Sequence, residues 1–464
     1  MALGTRVPVY AGVPTPDPPH HSIEHTAAGT VATHTVAAGE TLGMLAQRYG
    51  TTVEDLMKLN GLGNPDLLQV GQALQVPGTD IQNIAGPEFK VVPDSELVYG
   101  PGAIDFDARA FATGLNGFLA HYQEEVEGQM MDGPAILQLV ADRHNVNPRL
   151  LLALLEHQAG WVTEASPAAR TSIIGRPGSG LPGLYGELSW AANQLNLGFY
   201  GRAEGGLQGT YLGSDTQIAF SPAINDGTAG IQQLFAAVDG VTPESWQRDV
   251  GPEGLYATYM RLFGNPFAYG REPIAPEQLE AVSLSLPWPA GESWYFTGGP
   301  HGAWNTGSAW GALDFVPPSA ELGCVQSDAW VTAMADGVVT RSGNGAVVVD
   351  LDGDGFAGTG WAITYMHLET RDRVPLGQAV RQGDRLGHPS CEGGFSNGTH
   401  VHVARSFDGR WISADSNAPF VLSGWVSSGT GVEYDGYLTR GEIVKEACVC
   451  REDINVIQHA AAQP

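Results

Sequence analysis

WYFTGGPHGAWNTGSAWGALDFVPP, residues 294–318, sets the reading of the last third of the chain. It places His301 in a Gly-rich loop and Asp314 at the start of an apolar strand, between Leu313 and Phe315. A carboxylate so flanked is expensive to bury unless a cation or a donor partners it. Working outward, TYMHLE (364–369) ends another strand at His367, and THVHVA (399–404) reads as a strand whose alternation turns His400 and His402 to one face. A His-X-His alone is a weak signal, because structural histidines produce it too. Its company sharpens it: zinc favours imidazole nitrogen and carboxylate oxygen, and catalytic sites use three protein ligands plus water. The surrounding segments WVTAMADGVVTRSG (330–343), GAVVVDLDGDG (345–355) and AVRQGDRLGH (379–388) are short alternating runs broken by Gly, Asn and Asp, so the region from about 286 onward is β-rich and antiparallel.

At these residues the sequence resembles the lysostaphin-like (LytM-type) zinc metallopeptidases. Most of that class places its first His four residues before the Asp, where this chain has Trp310. The β-lytic branch instead has GGPH, a long Gly/Ser loop, and the Asp 13 residues after the His, which is the spacing from His301 to Asp314. Cys391, nine residues before His400, also fits that branch, while the branch's partner cysteine nearer His367 is absent and only Cys324 is available. The resemblance implies that His301, Asp314 and His402 hold one catalytic zinc, with water in the fourth position. It implies that His400 acts as general base and His367 stabilises the tetrahedral intermediate, although the sequence leaves those two roles exchangeable. The substrate it implies is the peptide cross-link of bacterial cell wall, often at Gly-containing bonds.

Nearer the start, THTVAAG, ETLGMLAQRYG, TTVEDLMKLNG and ALQVP give a βααβ order over residues 33–78, with Thr52 as N-cap of the second helix. With GETL, the helix-end LN-G and NPDLLQVGQALQVP, this unit resembles a LysM module, which binds N-acetylglucosamine-containing glycan. The resemblance implies a groove between the loops carrying Gly39, Glu40, Thr41 and Leu42 and those carrying Asn64, Asp66 and Leu68, built largely from backbone. For Leu42 and Leu68 a plain core role is an equal reading. A LysM on the same chain as a wall peptidase would raise its local concentration at the polymer.

Between these modules lies a helical stretch, 97–285. PAILQLVADRHNVNPRLLLALLEHQAGWV (134–162) holds two amphipathic segments split at NVNP. It has a faint likeness to lysozyme-like lytic transglycosylases, but their ESG triplet is here Gln158-Ala159-Gly160. Glu156, two residues back, sits about 200° around a helix, on another face. Glycoside cleavage needs a placed protonatable carboxyl, so a scaffold, wall-binding or inhibitory role fits this stretch better.

The expected organisation is multidomain: a tail (1–32), the LysM module (33–78), a linker (79–96), a mostly α-helical domain (97–285), a β-rich peptidase (286–435) and a C-terminal extension (436–464). DLDGDGFAGTG (350–360) sets Asp350, Asp352 and Asp354 at alternate positions, like the first half of a calcium loop, but position twelve is Trp361 rather than Glu. A hairpin turn accounts for it as well. A disulfide between Cys324 and Cys391 would fit an oxidising compartment, and Cys448 and Cys450 could be bridged only with strain. A net charge of −27 speaks against nucleic acid as a partner, and there is no run of about 18 apolar residues to span a bilayer. The first residues lack the apolar core of a signal peptide, so if the protein is exported its leader has been removed or this is not the natural start. Together the two resemblances imply a secreted, wall-associated peptidoglycan endopeptidase. The alternatives are a wall-binding protein with a degenerate peptidase domain, or a glycan-cleaving enzyme acting through its helical domain.

Overall fold

The structure, a computed structural model, describes residues 31–460 apart from 37–39, 50, 63–67, 69–70, 78–81, 171, 177–182, 205, 214–215, 277, 281, 319–321 and 395. In the first module β1 (Val31–Thr35) is followed by α1 (Leu42–Arg48), α2 (Val53–Asn60) and β2 (Ala73–Pro77). β1 and β2 pair antiparallel with His34 opposite Leu74. Thr52 caps α2 by accepting the Asp55 amide at 3.0 Å, and Gly61 ends it in the left-handed region at φ 66°. Leu42, Leu45, Leu56 and Leu74 fill the space between helices and strands.

The segment expected as linker is built into the fold. It forms β3 (Gln82–Ala85), then buries Val91 and Val92 fully and enters α3 (Asp94–Leu97). After α4 (Ala108–Leu115) and the hairpin β4 (Gln123–Val126) and β5 (Gln129–Asp132) come α5 (Gly133–His144) and α6 (Pro148–Ala159), divided at the NVNP turn. Asp132 and Asn147 cap their first amides. The long α7 (Leu184–Ala203) leads to the hairpin β6 (Gly209–Leu212) and β7 (Thr216–Ala219), against which β3 lies parallel. α8 (Asp226–Ala236), α9 (Pro243–Asp249) and α10 (Leu255–Phe263) complete the region. A buried ion pair, Arg149 to Glu96 at 2.6 Å, ties α6 to α3, and the Asn147 amide donates to the same carboxylate at 3.0 Å. Removing either charge would strand the other in the core.

Among the described residues, those up to Ile274, with Trp304–Ala309, form one compact unit; Ala275–Ala303 and those from Trp310 onward form the other. The second unit begins earlier than the pattern change near 286 suggests, because Leu284 is already in its core and bridges to Leu422. Its strands are β8 (Ser293–His301), β9 (Ala312–Val316), β10 (Val331–Thr332), β11 (Gly337–Gly343), β12 (Ala346–Asp350), β13 (Trp361–Met366), β14 (Ala379–Val380), β15 (Arg385–Gly387), β16 (Val401–Phe407) and β17 (Arg410–Trp411). They continue as β18 (Val421–Leu422), β19 (Trp425–Gly429), β20 (Gly436–Arg440), β21 (Ile443–Glu446) and β22 (Val456–Gln458). The main antiparallel sheet runs β14-β11-β12-β13-β16-β9-β8-β22. β18 to β21 make a second sheet.

Residues 436–460 are therefore no appendage. β20 and β21 belong to the second sheet, and β22 closes the edge of the main one with Val456 opposite Tyr295. Polar alternation hid these strands, since Ile443 and Val444 are about half exposed. Cys324 and Cys391 are joined, with Cα atoms 5.7 Å apart, and so are Cys448 and Cys450. No described helix is long and apolar enough to cross a membrane.

Candidate metal centre

Strand alternation builds the site. Leu313, Phe315, Val401 and Val403 are fully buried in the core on one face of β9 and β16. That leaves Asp314 and His402 on the other face, directly opposite each other in register. His301 reaches them from the end of β8, whose pairing with β9 slips twice between Phe296 and His301, re-aiming the strand end as β-bulges do. The GGPH motif has a steric reason. A Cβ on Gly298 would meet the Asp314 Oδ2 at 2.9 Å, and one on Gly299 would meet the Asp435 backbone at 2.6 Å.

The hydrogen bonds around the three side chains determine which atoms face inward. His301 Nδ1 lies 2.8 Å from the Gly299 carbonyl oxygen, and His402 Nε2 lies 3.0 Å from that of Ala303. A carbonyl only accepts, so these nitrogens carry the hydrogens, and His301 Nε2 and His402 Nδ1 turn bare lone pairs inward. Those two atoms are 3.0 Å apart, and Asp314 Oδ1 stands 3.3 and 3.2 Å from them. Asp314 Oδ1 is buried with no hydrogen bond. Three acceptors converging without a proton between them repel one another, and a divalent cation is what such a set fits. Burial opposes the charge of Asp314, but His301 and His400 hold its carboxyl well below the usual carboxylate range. Burial would lower His301, yet the adjacent Asp314 more than offsets this and raises it.

His367 and His400 border the trio, their rings 4.3 Å apart. His367 Nδ1 donates to the Glu392 carbonyl at 2.9 Å, and His400 Nδ1 to that of Gly398 at 2.7 Å, so each bares Nε2. His400 Nε2 is 3.7 Å from Asp314 Oδ1. Burial, then His400 and His402, push His367 well below the usual imidazole range. His367 also sits in the left-handed region at φ 62°, with its carbonyl held by the Ser390 amide at 2.6 Å and hydroxyl at 2.9 Å. A non-glycine residue there costs about 1–3 kcal/mol, and such strain concentrates at functional sites.

The sequence gives no sign of Tyr434. Its ring stacks on His301 at 4.2 Å between centroids, 19° from parallel, and its amide and carbonyl bond to Pro300 and Gly299 at 3.1 and 2.8 Å. Neighbouring Glu433 accepts the Gly302 amide at 3.3 Å. Both lie in the β19–β20 loop, far from His301 in sequence and without a local motif.

A family model for Peptidase family M23 matches residues 322–414, one for the LysM domain matches 34–77, and one for the N-terminal domain of LasA matches 90–276. The chain joins a LysM domain to an M23 peptidase. The M23 match covers His367, His400 and His402 but begins after His301 and Asp314, which makes the convergence of all five in space the more informative. Protease LasA of Pseudomonas aeruginosa is 28% identical over 343 residues, covering 69% of this chain and 74% of that one. The N-acetylmuramoyl-L-alanine amidase sle1 of Staphylococcus epidermidis is 48% identical over 50 residues, 11% of this chain and 15% of that one. Among solved structures, the deep-sea M23 metalloprotease pseudoalterin is 29% identical over 36% of this chain and 96% of its own, with a TM-score of 0.30. The M23 domain makes this chain a zinc metalloendopeptidase.

The other sequence-derived sites fare differently. Of the LysM residues, Gly39, Asn64 and Asp66 lie outside the described residues. Leu42 and Leu68 are core side chains, so those positions can offer a glycan only backbone. Glu40 binds His34 at 2.6 Å and Arg48 at 3.0 Å, and the Thr41 hydroxyl accepts the Met44 amide at 3.2 Å. Calcium at Asp350, Asp352 and Asp354 is not supported. Their oxygens come within 4.8 Å of one another, but they are spent on turn amides: Gly355 to Asp350 at 2.9 Å, Asp354 to Asp352 at 3.2 Å, Phe356 to Asp354 at 2.8 Å. Trp361 opens β13 where a bidentate Glu would be needed. In α6, Glu156 accepts from the Val162 and Thr163 amides, the Thr163 hydroxyl and Arg261. Burial works against its charge, but these donors lower its pKa overall, the opposite of what a glycosidic proton donor requires.

Proposed function

We propose that this chain is an exported, wall-associated endopeptidase that hydrolyses peptide cross-links of peptidoglycan, with His301, Asp314 and His402 as the ligands of one zinc ion and the LysM domain holding the enzyme on wall glycan. The convergence of two imidazole lone pairs and one orphaned carboxylate oxygen within 3.0–3.3 Å carries the reading. Bound zinc supplies acidified water and polarises the scissile carbonyl. The chain's own groups do the rest. His400 Nε2, bare and facing Asp314, accepts the proton of the attacking water, its ring oriented by the Gly398 carbonyl. The ring that takes this proton becomes the donor that stabilises the oxyanion and then passes the proton to the leaving amine. His367, which also bares Nε2 with its ring 4.3 Å from that of His400, is the second group able to fill that role. Tyr434 holds the plane of His301. The β-lytic arrangement, with its long loop between His301 and Asp314, is the branch this site resembles.

A purely wall-binding role is disfavoured by the complete donor set, and glycan cleavage by the pinned Glu156. Digestion of purified wall separates the readings. A peptidase releases new amino termini with stoichiometric zinc, and both are lost in His301→Ala. New reducing ends without new amino termini would sink the proposal.

A further inference from the structure

A cavity of about 230 Å³ lies between the LysM domain and the β6–β7 hairpin, lined on one side by His34, Glu40 and Arg48 and on the other by Gln208, Tyr211 and Gln217. Tyr211 and Gln217 are cross-strand partners in β6 and β7, so both side chains stand on the face toward α1. The Arg48 guanidinium covers the Tyr211 ring at 4.8 Å.

The charges here are already matched. Glu40 takes Arg48 on one oxygen and His34 on the other, and His34 Nδ1 bonds the Tyr49 hydroxyl at 3.0 Å. Neutral hydrogen-bonding capacity is what remains. Arg48 Nε is buried without a partner, and among the described residues neither the Tyr211 hydroxyl nor the Gln217 side-chain amide makes a hydrogen bond. Burial pushes the Tyr211 hydroxyl up to about 12, which keeps it an un-ionised donor. Only Arg48 Nε is both buried and unmet, which is costly, while the half-buried Tyr211 hydroxyl and Gln217 amide are open to a polar guest beside it. Amide, phenol and guanidinium donors around a small, electrically balanced cavity match hydroxyl and acetamido groups, and would leave a phosphate or carboxylate no uncompensated cation.

We propose that this cavity is a second saccharide site, taking one uncharged N-acetylated sugar residue and making the helical domain a reader of wall glycan alongside the LysM domain. The proposal rests on the reading that the LysM domain binds wall glycan, and Glu40 belongs to both the LysM loop and the cavity wall.

The test is calorimetric titration of the full chain with tetra-N-acetylchitotetraose. Tyr211→Phe keeps the ring against Arg48 and removes only the hydroxyl, and Gln217→Ala removes the amide. The expected result is an unchanged melting temperature and a Kd weakened about fivefold in each, as the loss of one net hydrogen bond predicts. If the wild type binds and both variants keep its Kd within twofold, the cavity is no saccharide site while the LysM reading stands. If the wild type itself does not bind, both readings fall together.

Discussion

Asp314→Asn should stabilise the metal-free protein and remove most of its response to zinc. In the wild type without metal, Asp314 Oδ1 faces two bare imidazole nitrogens at 3.2 and 3.3 Å and has no hydrogen bond. Asparagine is nearly the same shape, and its amide can donate to His301 Nε2 or His402 Nδ1. Satisfying one buried acceptor and removing the charge is worth about 1–3 kcal/mol. In a domain of this size that raises Tm by about 2–4 °C per kcal/mol. With zinc the balance shifts toward the wild type. At 100 to 1,000 times Kd the wild type gains about 2.7–4.1 kcal/mol by mass action, and the variant, lacking the anionic ligand, gains under about 1 kcal/mol. The assay is thermal unfolding with chelator and with excess zinc, in alkaline buffer.

The pH matters because His301 is raised. A raised imidazole contributes stability that is complete below its ordinary value of about 6.5 and lost as pH rises through the raised one. Acidifying toward pH 6 should therefore return the His301–Asp314 pair to the metal-free wild type and narrow its deficit against the variant. A metal-free variant less stable than the wild type in alkaline buffer, or one with the full zinc shift, would refute the reasoning.

Tyr434→Ala removes the ring stacked on His301 and should weaken zinc about tenfold, the lower end for lost outer-shell support, as read by competition with a chromophoric chelator. Cys324→Ser with Cys391→Ser opens a link spanning 67 positions and should cost about 4 kcal/mol of stability, measured by denaturant unfolding of the chain under oxidising conditions. Glu156→Gln weakens the grip on Arg261 and should lower Tm by a few degrees at about 1–2 kcal/mol, yet leave the rate of amino-terminus release from wall unchanged. A large loss of wall lysis at constant stability would give Glu156 a chemical role.

Periodicity is a local property, and the sequence is most legible where structure is local. The βααβ order, the break between α5 and α6 at NVNP, and the strands around His367 and His402 all follow from apolar spacing within a dozen residues or so. Segments whose partners are distant in sequence carry no such local signal. β3 reads as linker because its partner is β7, and β21 and β22 read as a polar tail because edge strands expose half their side chains. The calcium pattern failed for the converse reason: alternate Asp residues suit an ion and a turn equally, and backbone amides took them.

The residue types and spacing of GGPH to Asp314, with His367 and the His-X-His pair, determined by themselves which chemistry the chain could hold. Tertiary structure alone decided which nitrogen of each ring faces inward, because the Gly299, Ala303, Glu392 and Gly398 carbonyls that set it come from backbone placed by the fold. It alone brought Tyr434 onto His301, and it alone set β6 and β7 beside α1 to enclose a cavity. Sequence names the donors, but direction and neighbourhood depend on long-range packing that no local pattern encodes.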